Sequence, residues 1–155
     1  MNGINVDRVK KWVRLDEGLI LHVYRCPAGK RTIGYGYNLE ANKLPEFIEF
    51  YLAEHGEITL EMAEWLMDRK LSEAVDAAKA ILGGSTWDWL TEPRREVIVQ
   101  MIYNMGEGTF RKFKGTIKSI TEHDIPGAVM GLKSSLWHRQ LPARSGRLIR
   151  EFEKG

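Results

Sequence analysis

The chain has 155 residues, with 23 Lys and Arg against 21 Asp and Glu, a net charge of +2 and 43% hydrophobic side chains. That is enough chain for one domain, or one domain in two lobes, with a proper core, and it excludes a disordered polymer. A single cysteine excludes an internal disulfide, no apolar run approaches the roughly 20 residues of a membrane span, and MNGINVDRVKK lacks the apolar core of a secretion signal, so the chain is expected to accumulate in the cytoplasm.

The first element is a helix over residues 5–17. Val6, Val9 and Val13 form its apolar stripe, and Gly18 is its stop signal. The next position on that stripe is Glu17, an acid where an apolar residue is due. At the negative end of a helix and on its inner face, a carboxyl group should have its charged form disfavoured by desolvation and by the dipole, the condition of a general acid. From Leu19 the period changes to two, Pro27-Ala28-Gly29 supplies turn chemistry, and Arg31 to Tyr37 reads as the return strand of a hairpin. On that strand Thr32, Gly34 and Gly36 share a face with little side-chain bulk. It is either a floor for a substrate or the mark of a bulge or close backbone crossing.

Pro45 and Gly56 bracket a short helix. Thr59 can cap a longer one running to about Leu82, with Met62, Leu66, Leu71, Ala74, Ala78 and Leu82 roughly on one side and Gly83-Gly84 ending it. Asp88 to Leu90 and Pro93 start the next elements, and VIVQMIYNMG reads as a buried central helix. Trp137 and Phe152 are core anchors, and the five Trp are read as core rather than as a sugar-stacking platform. The four His are too scattered to propose a metal site. No Walker loop or internal repeat occurs.

Glu17, eight residues, Cys26, five residues and Thr32, followed by Ile-Gly-Tyr-Gly, resembles the catalytic segment of the phage-type lysozymes, the T4-like endolysins of glycoside hydrolase family 24. In that family the middle position is Asp or Cys. QMIYNMGEGTFRKF and SLWHRQLPARSGRLIREFEKG resemble the family's central helical stretch and its C-terminal helices, so the likeness covers most of the chain. It implies a mainly helical α+β fold of two lobes: a small β-hairpin lobe at about 18–58, a linking helix at about 59–82, and a helical lobe at about 83–155 joined by the N-terminal helix. The segment between Glu40 and Ile58 looks like an elaboration of the small lobe.

The resemblance further implies hydrolysis of the β-1,4 bond between N-acetylmuramic acid and N-acetylglucosamine in peptidoglycan, and hence bacterial lysis. Glu17 is then the acid, Cys26 the base or nucleophile, and Thr32 the residue that positions water or the intermediate. A thiol must be activated for that task, and inversion or retention is left open. Asn38, Tyr103, Thr116 and Arg144 stand at substrate-contact positions, while a further such position falls on Gly131 and has no side chain to offer. Arg144 resembles the family arginine that reaches the catalytic Glu. Arg14 and Asp16 are read as structural charges. No metal or organic cofactor is implied. The expected protein is a monomer whose partner is peptidoglycan, without stable membrane insertion, released across the inner membrane by a holin-type route to act in the periplasm.

The net charge conceals an asymmetry. Residues 109–155 carry ten Lys and Arg against four acids, and the first 108 carry thirteen against seventeen. A basic C-terminal half suits an anionic partner such as a wall polymer. Nucleic acid is not expected, because no reading module is present.

Overall fold

A computed structural model describes residues 3–155 and gives a mainly helical α+β architecture with a small three-stranded antiparallel sheet. The chain divides into two compact units, one of Lys10–Leu71 and one of the residues up to Val9 together with Ser72–Gly155. Helix α1 (Val6–Glu17) runs from the second of these into the first, and α3 (Leu60–Leu82) runs back.

The Lys10–Leu71 unit holds β1 (Ile20–Arg25), β2 (Arg31–Gly34), β3 (Tyr37–Asn38) and α2 (Glu46–His55). Helix α1 stops where Gly18 takes φ 69° and donates its N–H to Arg14 O at 3.0 Å. The β1–β2 loop is a tight turn: the Gly29 N–H donates to Cys26 O at 2.7 Å across Pro27-Ala28, and Gly29 takes φ 79°. Proline presets the first turn position and glycine supplies the left-handed one, so the loop is fixed by its own residues. Arg25 then pairs with Arg31 and Tyr24 with Thr32, with an irregularity between Ile20 and Tyr24. Buried Ile33, Tyr37, Ile48, Ile58, Ala63 and Leu66 furnish apolar contact within this unit.

The return strand is shorter than its alternation implies. It ends at Gly34, turns through Tyr35-Gly36, and resumes as β3 antiparallel to β2. Gly34 and Gly36 lie at φ 68° and 67°, a conformation that inverts the chain and ends the period of two. A common open face of Thr32, Gly34 and Gly36 therefore does not form. Gly34 instead packs against α3, where an added Cβ would lie at ordinary contact distance, 3.6 Å, from Ala63 Cβ.

Helix α2 lies between Pro45 and Gly56 as its signals imply, with Gly56 at φ 77°. The Thr59 hydroxyl accepts from the Met62 N–H at 3.1 Å and starts α3. On α3 the buried face is carried by Ala63, Leu66, Met67, Leu71, Ala74, Val75, Ala78 and Leu82, while Met62 is only half-buried.

The other unit contains α4 (Gly84–Trp89), α5 (Glu92–Met105), α6 (Glu107–Phe110), α7 (Lys114–Thr121), α8 (Ile125–Lys133), α9 (Leu136–Gln140) and α10 (Pro142–Lys154). Gly83 at φ 86° ends α3, but Gly84 opens α4 instead of extending the break. Helix α5 has Pro93 in its first turn and is buried on every side from Glu96 to Tyr103. The Glu96 carboxylate is satisfied by the Asn5 N–H at 2.7 Å and by a fork from Arg8, Nε at 2.8 Å and Nη2 at 2.7 Å. Trp87, Trp137 and Phe152 are core, as is the stripe Ser145, Leu148, Ile149 and Phe152 on α10. Trp65 and Trp89 are not, at 42% and 39% exposed, which corrects the reading of all five Trp as core.

Candidate active site

Glu17 is the last residue of α1, half-buried, and its carboxyl group lies directly on the backbone of Gly36. A Cβ at Gly36 would sit 2.6 Å from Glu17 Oε2 and 2.9 Å from Cδ, so the carboxylate occupies the space a side chain would need. Position 36 is thus glycine for two reasons, its positive φ and this close approach.

Cys26 opens the hairpin turn, half-buried, with its N–H donating to Lys30 O at 3.0 Å. Burial by itself would push the thiol up. Hydrogen bonds to the sulfur from the backbone of Lys30 and Ala28, from the Thr32 side chain and from its own backbone outweigh this and leave it below its ordinary value. Thr32, buried and opposite Tyr24 in the ladder, also donates its hydroxyl to Lys30 O at 2.9 Å. The hydroxyl has one proton, so it can donate to Lys30 O or to the sulfur but not to both at once.

Tyr24 was not singled out from sequence. Its phenol is pushed up by burial and then by the negative charges of Glu17 and Cys26, which places it within electrostatic reach of both. The pairing of position 24 with position 32 across the hairpin is the signal that could have found it.

A second layer brings Glu64 and Lys70 from α3. Arg14 forks onto Glu64, Nε to Oε1 at 3.0 Å and Nη2 to Oε2 at 2.9 Å, and the Tyr35 hydroxyl donates to Oε1 at 3.2 Å. The hydrogen bond from Arg14 holds the Glu64 carboxyl below the usual carboxylate range against the opposing effect of burial, with help from Lys10 and Tyr35. Burial and the Glu64 charge raise the Tyr35 phenol. Lys70 Nζ donates to Gly36 O at 2.8 Å. Neither α3 residue has a local sequence signal, because its partners are more than 25 positions away.

The remaining expected contact residues fall in both units. Asn38 is the last residue of β3, in the same unit as Glu17, and its Oδ1 accepts the N–H groups of Glu40 at 2.8 Å and Ala41 at 3.2 Å. Tyr103 and Thr116 are buried on α5 and α7 of the other unit. Gly131 on α8 packs against Thr116, since a Cβ there would collide with the Thr116 hydroxyl, so its lack of a side chain serves helix packing. Arg144 is half-buried in the first turn of α10, the helix end where a cation gains nothing from the dipole. Among the described residues, no group of three or more His, Cys, Asp or Glu is placed to hold a metal ion. No helix among them is long and apolar enough to cross a membrane.

Residues 14–149 match the phage lysozyme family. The chain is 31% identical over 163 aligned positions to a probable T4-type lysozyme 2 of Dictyostelium discoideum, covering 97% of this chain and 96% of the relative. It is 29% identical, with the same coverage, to a probable T4-type lysozyme 1 of that organism. It is also 26% identical over 148 positions to the pre-baseplate central spike protein Gp5 of Enterobacteria phage T4, covering 88% of this chain and 26% of that longer protein. With a mainly helical α+β fold and a match that spans nearly the whole sequence, the chain belongs to the phage lysozyme family, whose activity is glycoside hydrolysis.

Proposed function

We propose that the chain is an endolysin-type N-acetylmuramidase that hydrolyses the β-1,4 bond between N-acetylmuramic acid and N-acetylglucosamine in peptidoglycan and so lyses bacteria. The observation that carries this reading is the seat of Glu17. A carboxyl group at a helix end is held against a glycine backbone, in the same unit as a thiol with depressed affinity for its proton and a threonine hydroxyl within hydrogen-bonding reach of its sulfur. Glycoside hydrolysis needs an acid for the leaving oxygen and a second group that attacks the sugar or activates water. Glu17 supplies the proton. Cys26 is the second group, as base or nucleophile, and the movable proton of Thr32 stabilises its thiolate or orients the water it activates. Asn38, Tyr103, Thr116 and Arg144 are the proposed saccharide contacts, without a metal or organic cofactor.

The proposed partner is peptidoglycan, met by a monomer. The proposed route is storage in the host cytoplasm and release across the inner membrane through a holin-type opening, because an enzyme that cuts the wall has to be kept from it until lysis. Fractionation of expressing cells with and without an added holin tests the route. The test of the activity is turbidity loss of outer-membrane-stripped Gram-negative cells with purified Glu17→Gln. Removing the transferable proton while keeping the shape should lower lysis about a thousandfold, since general acid catalysis alone contributes roughly 10² to 10⁴. Lysis at the wild-type rate by folded Glu17→Gln would remove the proposal.

A further inference from the structure

The Glu17 carboxyl rests on Gly36, and Gly36 is itself held. Its carbonyl oxygen accepts from Lys70 Nζ at 2.8 Å. Six positions earlier on the same helix, Glu64 receives the two-pronged bond from Arg14 and the hydroxyl of Tyr35. Arg14 lies one helical turn before Glu17 on α1, and Tyr35 immediately precedes Gly36 in the turn. Both parts of the seat, the helix end that bears the acid and the turn the acid lies on, are therefore fastened to α3. Lys10 adds a further bond to the cluster, its Nζ 3.6 Å from Glu64 and 2.7 Å from Asp68.

Such a cluster is more than stability requires. Partly exposed ion pairs contribute about 0–1 kcal/mol each, whereas a planar fork from arginine fixes orientation as well as distance. A reacting carboxyl gains far more from fixed placement, since a misplacement of about 1 Å can cost on the order of 10²-fold in rate. We propose that Lys70 and Glu64 are positioning residues for Glu17, acting through Gly36 and through Arg14 and Tyr35. This rests on the reading of Glu17 as the general acid. Lys70 sets the height of the Gly36 peptide beneath the carboxyl, and Glu64 sets the angle at which the last turn of α1 meets it.

The experiment compares Lys70→Met, Lys70→Arg, Glu64→Gln and Tyr35→Phe with the wild type on a soluble peptidoglycan oligosaccharide, recording kcat, KM, the pH–rate profile and melting temperature. Lys70→Met should lower kcat by about 10- to 100-fold with KM within about twofold, and should displace the limb of the profile that reports the acid. Lys70→Arg, which can still donate to the Gly36 carbonyl, should recover most of kcat and the original profile. Glu64→Gln and Tyr35→Phe should move kcat and the profile in the same direction, Tyr35→Phe least. An unchanged kcat and profile in Lys70→Met overturns the proposal, as does a loss that Lys70→Arg fails to restore or that merely follows the fraction unfolded. Activity retained in Glu17→Gln would instead strike the reading of the acid, so the two failures are distinguishable.

Discussion

Substituting alanine for Gly36 separates the seat of the acid from ordinary backbone strain. A non-glycine residue at φ 67° costs roughly 1–2 kcal/mol, and for a chain of this length that lowers the melting temperature by about 2–8 °C. The second effect is steric: the new Cβ, 2.6 Å from Glu17 Oε2, must push the carboxyl off its present position. A displacement approaching 1 Å predicts a fall in kcat of about 10²-fold. Gly34→Ala is the matched control. Its φ of 68° imposes the same strain, yet its Cβ would meet Ala63 Cβ at 3.6 Å, an ordinary contact, with Ala63 and Ile58 rather than Glu17 as its nearest neighbours. Both variants should melt a few degrees lower, and only Gly36→Ala should lose turnover in the stripped-cell assay at a temperature where both are folded. Full turnover in Gly36→Ala, or an equal loss in Gly34→Ala, would refute the reasoning.

The thiol should react with iodoacetamide along a pH profile centred below that of an ordinary cysteine, and Thr32→Val, which removes one of the bonds lowering it, should move the profile to higher pH. If the sulfur takes part in the reaction, Cys26→Ser loses most lytic activity and Cys26→Asp keeps much of it; full activity in folded Cys26→Ser refutes this. Glu64 has a folded pKa below its unfolded value, so its contribution is complete above the ordinary carboxylate pKa of about 4.3 and is lost as pH falls through the depressed value. Urea titrations of the wild type and Glu64→Gln should therefore converge at low pH, and a constant gap between them would contradict that assignment. Lysis should weaken at high salt, and neutralising Lys112 and Lys114 should flatten the dependence more than neutralising Arg111, which already pairs with Glu107 at 2.8 Å; equal effects would show that this pair leaves Arg111 as available as its neighbours.

The elements that could be read from sequence are those whose ends are written locally. Gly18 and Gly56 close helices at the predicted places because a left-handed φ is a property of one residue. Thr59 and Pro93 open them for equally local reasons, a side-chain acceptor and a preset φ. The misreadings arose where one local signal has two outcomes. Gly83-Gly84 does end α3 after Leu82, but Gly84 at once opens α4, so Asp88 to Leu90, read as the start of an element, are the end of one. The run from Arg31 to Tyr37 alternates without interruption, yet two left-handed glycines split it into a strand, a turn and a second strand. Trp65 escapes the core because its ring meets Phe47 edge-on at 5.5 Å and Arg69 at 5.7 Å on the outside of α3.

The same distinction divides the site. Glu17 is visible from sequence because it interrupts an apolar stripe, and Cys26 and Thr32 because their spacing from it resembles the family's catalytic segment; the tight turn sets those two residues two rungs apart in one hairpin. What holds them could not be seen. The fork from Arg14 to Glu64 and the bond from Lys70 to Gly36 join positions 50 and 34 residues apart, and nothing in periodicity or capping specifies which of the α3 charges will face the hairpin. That division has a physical origin. The proposed reacting groups must lie close together, and the hairpin places Cys26 near Thr32 through short-range geometry alone. Their orientation has to be fixed to within a fraction of an ångström, which a small three-stranded sheet with a two-residue edge strand cannot provide by itself. A long helix with Ala63, Leu66 and Met67 anchored in the core can, and its charged side chains carry that rigidity to the acid.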